Sequence, residues 1–144
     1  MSRKPLNVLV VDDNQINREV LARYLETAGH YVTVCTDGAH ALDEFKRVRH
    51  QVVISDYKMD GMNGLELCSA IRKLGGNYTY FILITAHDEE SVRAEMLAST
   101  VDDFLLKPYS PSTIRMRLRM ADRILRHQER SVDSKVSEFD NPLN

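Results

Sequence analysis

Asp12, Asp13, Asp56, Thr85 and Lys107 are the residues of this 144-residue chain whose types and spacing could do chemistry. Each stands at the end of a short apolar run. The acidic pair follows residues 6–11, Asp56 follows 52–55, Thr85 closes the run that begins at Tyr80, and Lys107 follows 103–106. If those runs are neighbouring strands, three carboxylates share one rim. Two like charges about 4 Å apart repel by roughly 4 kcal/mol at an effective dielectric of about 20. Either their pKa values rise or a cation sits among them. Hard oxygen donors favour Mg2+, with Mn2+ as a substitute, over Zn2+. A metal, an ammonium and a hydroxyl converging on one carboxylate suit a phosphoryl group. A carboxylate can itself be the nucleophile, giving an aspartyl-phosphate. Taken singly, an aspartate after a strand is commonly a helix cap, and Lys107 before Pro108 reads as a solvated loop residue. The joint pattern carries the reading.

The elements that must position these groups follow from two alternating periods. Leu6-Asn7-Val8-Leu9-Val10-Val11 and the runs 31–36, 52–55, 80–85 and 103–106 are short, apolar and rich in β-branched residues. Nearly continuous apolar runs suit parallel strands buried on both faces. Residues 31–35 alternate, which puts that strand toward an edge. Between the runs the spacing turns helical. Ile16, Val20, Leu21, Tyr24, Leu25 and Ala28 form one stripe, with Asn14 as cap and Gly29 as stop. Ala41, Leu42, Phe45 and Val48 mark a second helix capped near Asp37. Leu67, Cys68, Ile71 and Leu74 mark a third, stopped by Gly75-Gly76. Val92, Met96 and Leu97 mark a weaker fourth. Ile114, Leu118, Ala121 and Leu125 mark a fifth, which starts after Ser110-Pro111.

Strand–helix repeated five times predicts an α/β fold with a doubly wound parallel sheet in three layers. In such sheets ligands lie outside the carboxyl ends of the strands. Strands one, three, four and five supply the polar residues there, and strand two supplies none. Residues 1–125 are expected to form one domain. Residues 126–144 are expected to be the end of an extended fifth helix and a flexible tail, because no period is sustained from 131 onward.

Composition bounds the function. A hydrophobic content of 43% supplies a core, and 28% charged residues suits a soluble surface. A net charge of −2 argues against a protein built chiefly to bind nucleic acid or membranes. No apolar run approaches the length of a membrane span. The basic start Met1-Ser2-Arg3-Lys4-Pro5 leads into a run too short for a signal-peptide core, so a cytoplasmic location is expected. Cys35 and Cys68 lack metal or redox spacing and read as buried free thiols.

Four segments together carry a family likeness: Val10-Val11-Asp12-Asp13-Asn14, the stretch from Ile54 through Asp56-Tyr57-Lys58-Met59-Asp60 to Gly64, Ile84-Thr85-Ala86, and Asp102-Asp103-Phe104-Leu105-Leu106-Lys107-Pro108. In order and spacing they resemble the receiver domain of two-component response regulators. That resemblance implies a flavodoxin-like five-stranded sheet of order 2-1-3-4-5. It implies Asp56 as the phosphoacceptor, fed in a Mg2+-dependent reaction by a phosphohistidine of a sensor kinase or phosphotransfer protein. Asp13, Asp56 and the backbone carbonyl of Lys58 would ligate the metal, with Asp12 acting through water. Lys107 would pair with phosphoryl oxygens and Pro108 would follow a cis peptide bond. Thr85 and Phe104 would be the switch pair that repacks the face of the fourth helix, fifth strand and fifth helix, which controls a downstream protein. Lys58 and His87 would tune phosphate lifetime. The implied activity is self-phosphorylation and autodephosphorylation only, with no turnover of an external metabolite.

Two positions depart from the pattern. Asp60 stands where proline is usual and adds a carboxylate near the site. A glycine is usual near Thr100, and threonine tolerates positive φ poorly, so the end of the fourth helix is expected to be remodelled. The fifth helix carries Arg115, Arg117, Arg119, Arg123, Arg126 and Arg130. Without interleaved aromatics this reads as a solvated basic face rather than a nucleic-acid surface. Met120 and Ile124 widen its apolar stripe, and the heptad spacing leaves room for a homodimer contact. The alternatives are a receiver-fold scaffold that is not phosphorylated, and an aspartate-nucleophile phosphatase. The phosphatase usually wants a second carboxylate two residues after the nucleophile, where this chain has Lys58. No G-x-G-x-x-G or P-loop motif supports nucleotide binding.

Overall fold

The structure is a computed structural model that describes residues 4–86 and 90–139; His87 therefore lies outside the described residues. Among the described residues five strands and five helices alternate: β1 (Asn7–Val11), α1 (Gln15–Thr27), β2 (Tyr31–Cys35), α2 (Gly38–Val48), β3 (Val52–Asp56), α3 (Gly64–Leu74), β4 (Tyr80–Thr85), α4 (Glu90–Leu97), β5 (Asp103–Leu106) and α5 (Pro111–Phe139). All pairings are parallel and the strand order is β2-β1-β3-β4-β5. The apolar runs explain the choice. β3 and β4 are buried over nearly their whole length, as strands covered on both faces must be. The alternating run became the edge strand β2, with Tyr31 and Val34 exposed.

Side chains of successive strand residues point to opposite faces, so the sheet carries two cores. Val8, Val10, Ile54, Ile82 and Ile84 pack with Leu21 and Leu25 of α1 and with Ile114, Leu118, Ala121 and Leu125 of α5. Leu9, Val11, Val53, Phe81 and Leu83 pack with Ala41 and Phe45 of α2, Leu67, Cys68 and Ile71 of α3, and Met96 of α4. Three layers result. Both thiols sit in the second core, where burial raises Cys68 and pushes Cys35 up to about 11.

Local chemistry sets the helix ends. Asn14, Asp37 and Asn63 each accept a backbone N–H in the first turn of their helices, and Asn63 with Glu66 forms a full capping box. Gly75 and Gly76 end α3 at φ values of 66° and 91°, where a side chain would be strained.

Three features differ from the sequence reading. Ile16 is 72% exposed and Val20 41% exposed, so the core stripe of α1 is Leu21, Ala22 and Leu25 instead. Among the described non-glycine residues only Arg49 has positive φ, so Thr100 takes an ordinary backbone conformation. Its hydroxyl meets the Cys68 thiol at 3.6 Å, and its carbonyl accepts from Arg72 at 2.9 Å. Finally, α5 remains helical through Phe139, into the stretch expected to be a flexible tail, and Leu125 is the last buried residue of its 111–129 portion. Residues 131–139 place Val132, Val136 and Phe139 at helical spacing and contain no Pro or Gly to break a helix already nucleated on the sheet.

Candidate functional site

The order of the sheet brings together the ends of β1, β3, β4 and β5. Asp56 lies opposite Ile84 and Thr85 opposite Leu106, so strands β3, β4 and β5 finish at one level. Lys107 follows at once, its N–H donating to the Thr85 carbonyl at 2.9 Å. The peptide bond from Lys107 to Pro108 is cis.

Asp12, Asp13 and Asp56 each place a carboxylate oxygen within 4.8 Å of the others. The Lys107 ammonium stands 3.5 Å from Asp56 Oδ1 and 3.9 Å from Asp12 Oδ2. Exposure grades across the group: the Asp12 and Asp56 side chains keep only 7% and 12% of their surface, and Lys107 keeps 23%. Burial is the main cause that pushes the Asp56 carboxyl above its usual range. Lys107 opposes this, while Asp12 and Asp13 add to it. A half-buried phenol, Tyr109, lies in the same field and is pushed up to about 12, by burial first and then by Asp12, Tyr24 and Asp56.

Local structure fixes each group. The Asp12 N–H donates to the Cys35 carbonyl, and Asp12 Oδ1 accepts the Asn14 N–H at 2.9 Å. Asp56 is backed by Gly64, where an added Cβ would stand 2.5 Å from the Asp56 carbonyl oxygen and 2.5 Å from Leu83 Cδ1. The Tyr57 N–H donates to the Ile84 carbonyl at 2.8 Å, which holds the chain just past Asp56 against β4. Thr85 is buried on its strand end, Phe104 is 40% exposed on the outer side of β5, and Lys58 and Asp60 are exposed on the loop after β3. Of the residues singled out in the sequence, the described structure therefore clusters Asp12, Asp13, Asp56 and Lys107, with Thr85 adjoining in the backbone. Phe104 stands apart.

Other contributors escaped the sequence reading. Arg18 reaches back from α1 to donate to the Asp12 carbonyl at 2.8 Å. Tyr57 donates its hydroxyl to Glu95 of α4 at 2.9 Å, a link from the loop after β3 to an element with Met96 as its buried anchor. Beside Lys107, a groove of about 420 Å³ is lined by Asn17, Val20, Tyr24, Lys107, Pro108 and Tyr109. One weak signal existed for Arg18: a basic residue early in a helix opposes the macrodipole and so asks for a reason.

The donor set is all oxygen and carries up to three negative charges, which fits a hard divalent cation and disfavours a soft one. Among the described residues no helix is long and apolar enough to cross a membrane.

Comparison with known proteins agrees with this geometry. A family model for the response regulator receiver domain matches residues 8–119. The response regulator MprA of Mycobacterium sp. strain KMS is 36% identical over 115 residues, which is 80% of this chain and 50% of that protein. The chain thus spans about half the length of the curated relatives it matches. Among solved structures, the chemotaxis response regulator CheY4 of Vibrio cholerae aligns with 29% identity and a TM-score of 0.75, covering 82% of this chain and 99% of that one. The signal receiver domain of NarL from Mycobacterium tuberculosis aligns with 31% identity and a TM-score of 0.75, covering 83% and 98%. The flavodoxin-like receiver fold, the acidic rim and these relatives agree, and the chain belongs to the response regulator receiver domain family of two-component systems.

Proposed function

We propose that this domain takes a phosphoryl group from the phosphohistidine of a sensor kinase or phosphotransfer protein onto Asp56. The observation that carries the reading is the convergence of Asp12, Asp13 and Asp56 with Lys107 in one crevice. An Asp56 oxygen attacks phosphorus, the phosphorus–nitrogen bond breaks, and the donor imidazole leaves with the electron pair and takes up a proton. Asp13, Asp56 and the Lys58 carbonyl would hold Mg2+, with Asp12 acting through water. A bound divalent cation would neutralise charge on the phosphoryl oxygens and lower the repulsion met by an incoming anion. Lys107, already beside Asp56, supplies a second positive charge to the same oxygens. The groove between Tyr24 and Tyr109 gives a donor an apolar footing next to Lys107.

The output follows from the same residues. The new group adds charge and acceptor oxygens where one carboxylate stood. Thr85 would move toward it, and Phe104, now outward, would turn into the space released. That repacks α4, β5 and α5, the surface for a downstream protein. Met116, Met120 and Ile124 are exposed on α5 and suit a homodimer contact. A bias of about 5.5 kcal/mol moves a switch from 1:99 to 99:1, within reach of one cation and a few charge-assisted hydrogen bonds. Lys58 is assigned to shielding the phosphoryl group from water, and the place of action is the cytoplasm. Incubation with acetyl phosphate and Mg2+ followed by intact mass is the test. One added phosphoryl group, absent in Asp56→Asn, is expected. An unmodified wild-type protein under those conditions would leave a binding scaffold instead.

A further inference from the structure

We infer that Arg18 is a positioning residue for the acidic pair: it orients the peptide that joins Asp12 to Asp13 and so sets the geometry in which Asp13 meets a divalent cation. The inference rests on the Mg2+ reading of the rim. Arg18 occupies an electrostatically awkward place. A guanidinium stands in the second half of the first turn of α1, where the helix macrodipole disfavours a cation. It also stands beside a cluster that is to take up a cation. The dipole opposes a positive charge there, and a guanidinium beside the acids competes with the metal for them. Its side-chain hydrogen bond runs not to a carboxylate but to the Asp12 carbonyl oxygen, at 2.8 Å.

That carbonyl belongs to the peptide between the two acids. Its other neighbours already fix Asp12. The Asp12 N–H is held by the Cys35 carbonyl at 3.2 Å, and Asp12 Oδ1 accepts the Asn14 N–H at 2.9 Å. What remains free to turn is the next peptide plane, and its rotation swings the Asp13 side chain while leaving Asp12 in place. Arg18 holds that plane. The α1 cap holds Arg18 in turn, because Asn14 caps the helix and its carbonyl accepts the Arg18 N–H at 3.0 Å. Sequence, cap, peptide plane and metal ligand thus form one chain of contacts.

Charge and position give opposite signs, which makes the test decisive. Mg2+ is titrated calorimetrically into the wild type, Arg18→Met, Arg18→Lys and, as a control, Arg117→Met, which loses the ion pair with Asp103 far from the rim. Positioning demands that Arg18→Met weaken Mg2+ binding by about 10-fold or more, the usual cost of losing a group that orients a metal ligand. Simple electrostatics demands tighter binding. Arg18→Lys keeps the charge and one donor and is expected to fall between wild type and Arg18→Met; Arg117→Met is expected to bind as the wild type does. If circular dichroism shows Arg18→Met unfolded, Arg18→Lys decides alone: a loss of affinity at constant charge supports positioning. Equal or tighter binding in the folded Arg18 variant overturns the role of Arg18 and leaves the Mg2+ reading standing. A wild type that binds no Mg2+ overturns both.

Discussion

Replacing Asp13 by asparagine should stabilise the protein without metal and abolish its response to metal. One oxygen from each of Asp12, Asp13 and Asp56 lies within 4.8 Å of the others. A pair at that distance repels by about 3.5 kcal/mol at an effective dielectric of about 20. Asp13 is exposed, and solvent screens such a charge until at most about 1 kcal/mol survives. Asp13→Asn should therefore raise metal-free stability by about 0.5–1 kcal/mol, a few degrees in Tm for a domain of this size. The wild type, held at free Mg2+ one hundred times its dissociation constant, should gain about 2.7 kcal/mol. The variant should gain little, since it has lost a charged donor. Thermal melts followed by circular dichroism, with EDTA or with Mg2+, give both numbers. The reasoning is refuted if Asp13→Asn lowers the metal-free Tm, or if both proteins gain equally from Mg2+.

Gly64→Ala should destabilise the fold by about 1–3 kcal/mol, because its Cβ would press on the Asp56 carbonyl and on Leu83; urea denaturation reads the loss. Arg72 donates to the Thr79 and Thr100 carbonyls and pairs with Asp102 at 2.8 Å, so Arg72→Met should cost about 2–4 kcal/mol by the same assay. Tyr78 also donates to Asp102, and Tyr78→Phe combined with Arg72→Met should be clearly non-additive. His50 is 1% exposed and stacks on Phe45, with neither ring nitrogen hydrogen-bonded among the described residues. Burial holds its pKa below the ordinary 6.5; Glu44 opposes and Arg47 assists. Folding therefore keeps its full stability above pH 6.5 and loses some as pH falls from there toward the lowered value. Melting curves from pH 7.5 to 5 should show His50→Phe losing less than the wild type, and parallel losses would refute the assignment.

The strands were legible because their chemistry is local. Val8 through Val11 or Phe81 through Ile84 can satisfy so much apolar surface only inside a sheet covered on both sides. The rim was legible for a related reason: in a parallel sheet the residues after each strand fall at one end, whatever the loops do. What stayed hidden depends on tertiary fit. Ile16 and Val20 share the period of Leu21 and Leu25, yet α1 starts beyond the strand ends, so Val20 lines the groove beside Lys107 instead of the core. The Arg18 and Tyr57–Glu95 contacts join residues whose meeting no single-sequence period encodes. At Thr100 the usual glycine reads as a conformational need, whereas here Arg72 and Cys68 hold an ordinary backbone in place. The reach of α5 past Leu125 was half legible. Val132, Val136 and Phe139 continue the helical spacing more sparsely beyond it, and helix propagation needs less than helix nucleation.

The proposed function requires that these acids and Lys107 form one pocket that binds a divalent ion and a phosphoryl group on Asp56. A crystal structure of the protein grown with Mg2+ and beryllofluoride would reveal such a pocket. The expected result is density for the phosphoryl mimic joined to an Asp56 oxygen, within reach of Lys107, with a divalent ion touching Asp13 and Asp56. Beryllofluoride absent from Asp56 at saturating concentration, or an ion bound away from Asp12, Asp13 and Asp56, would contradict it.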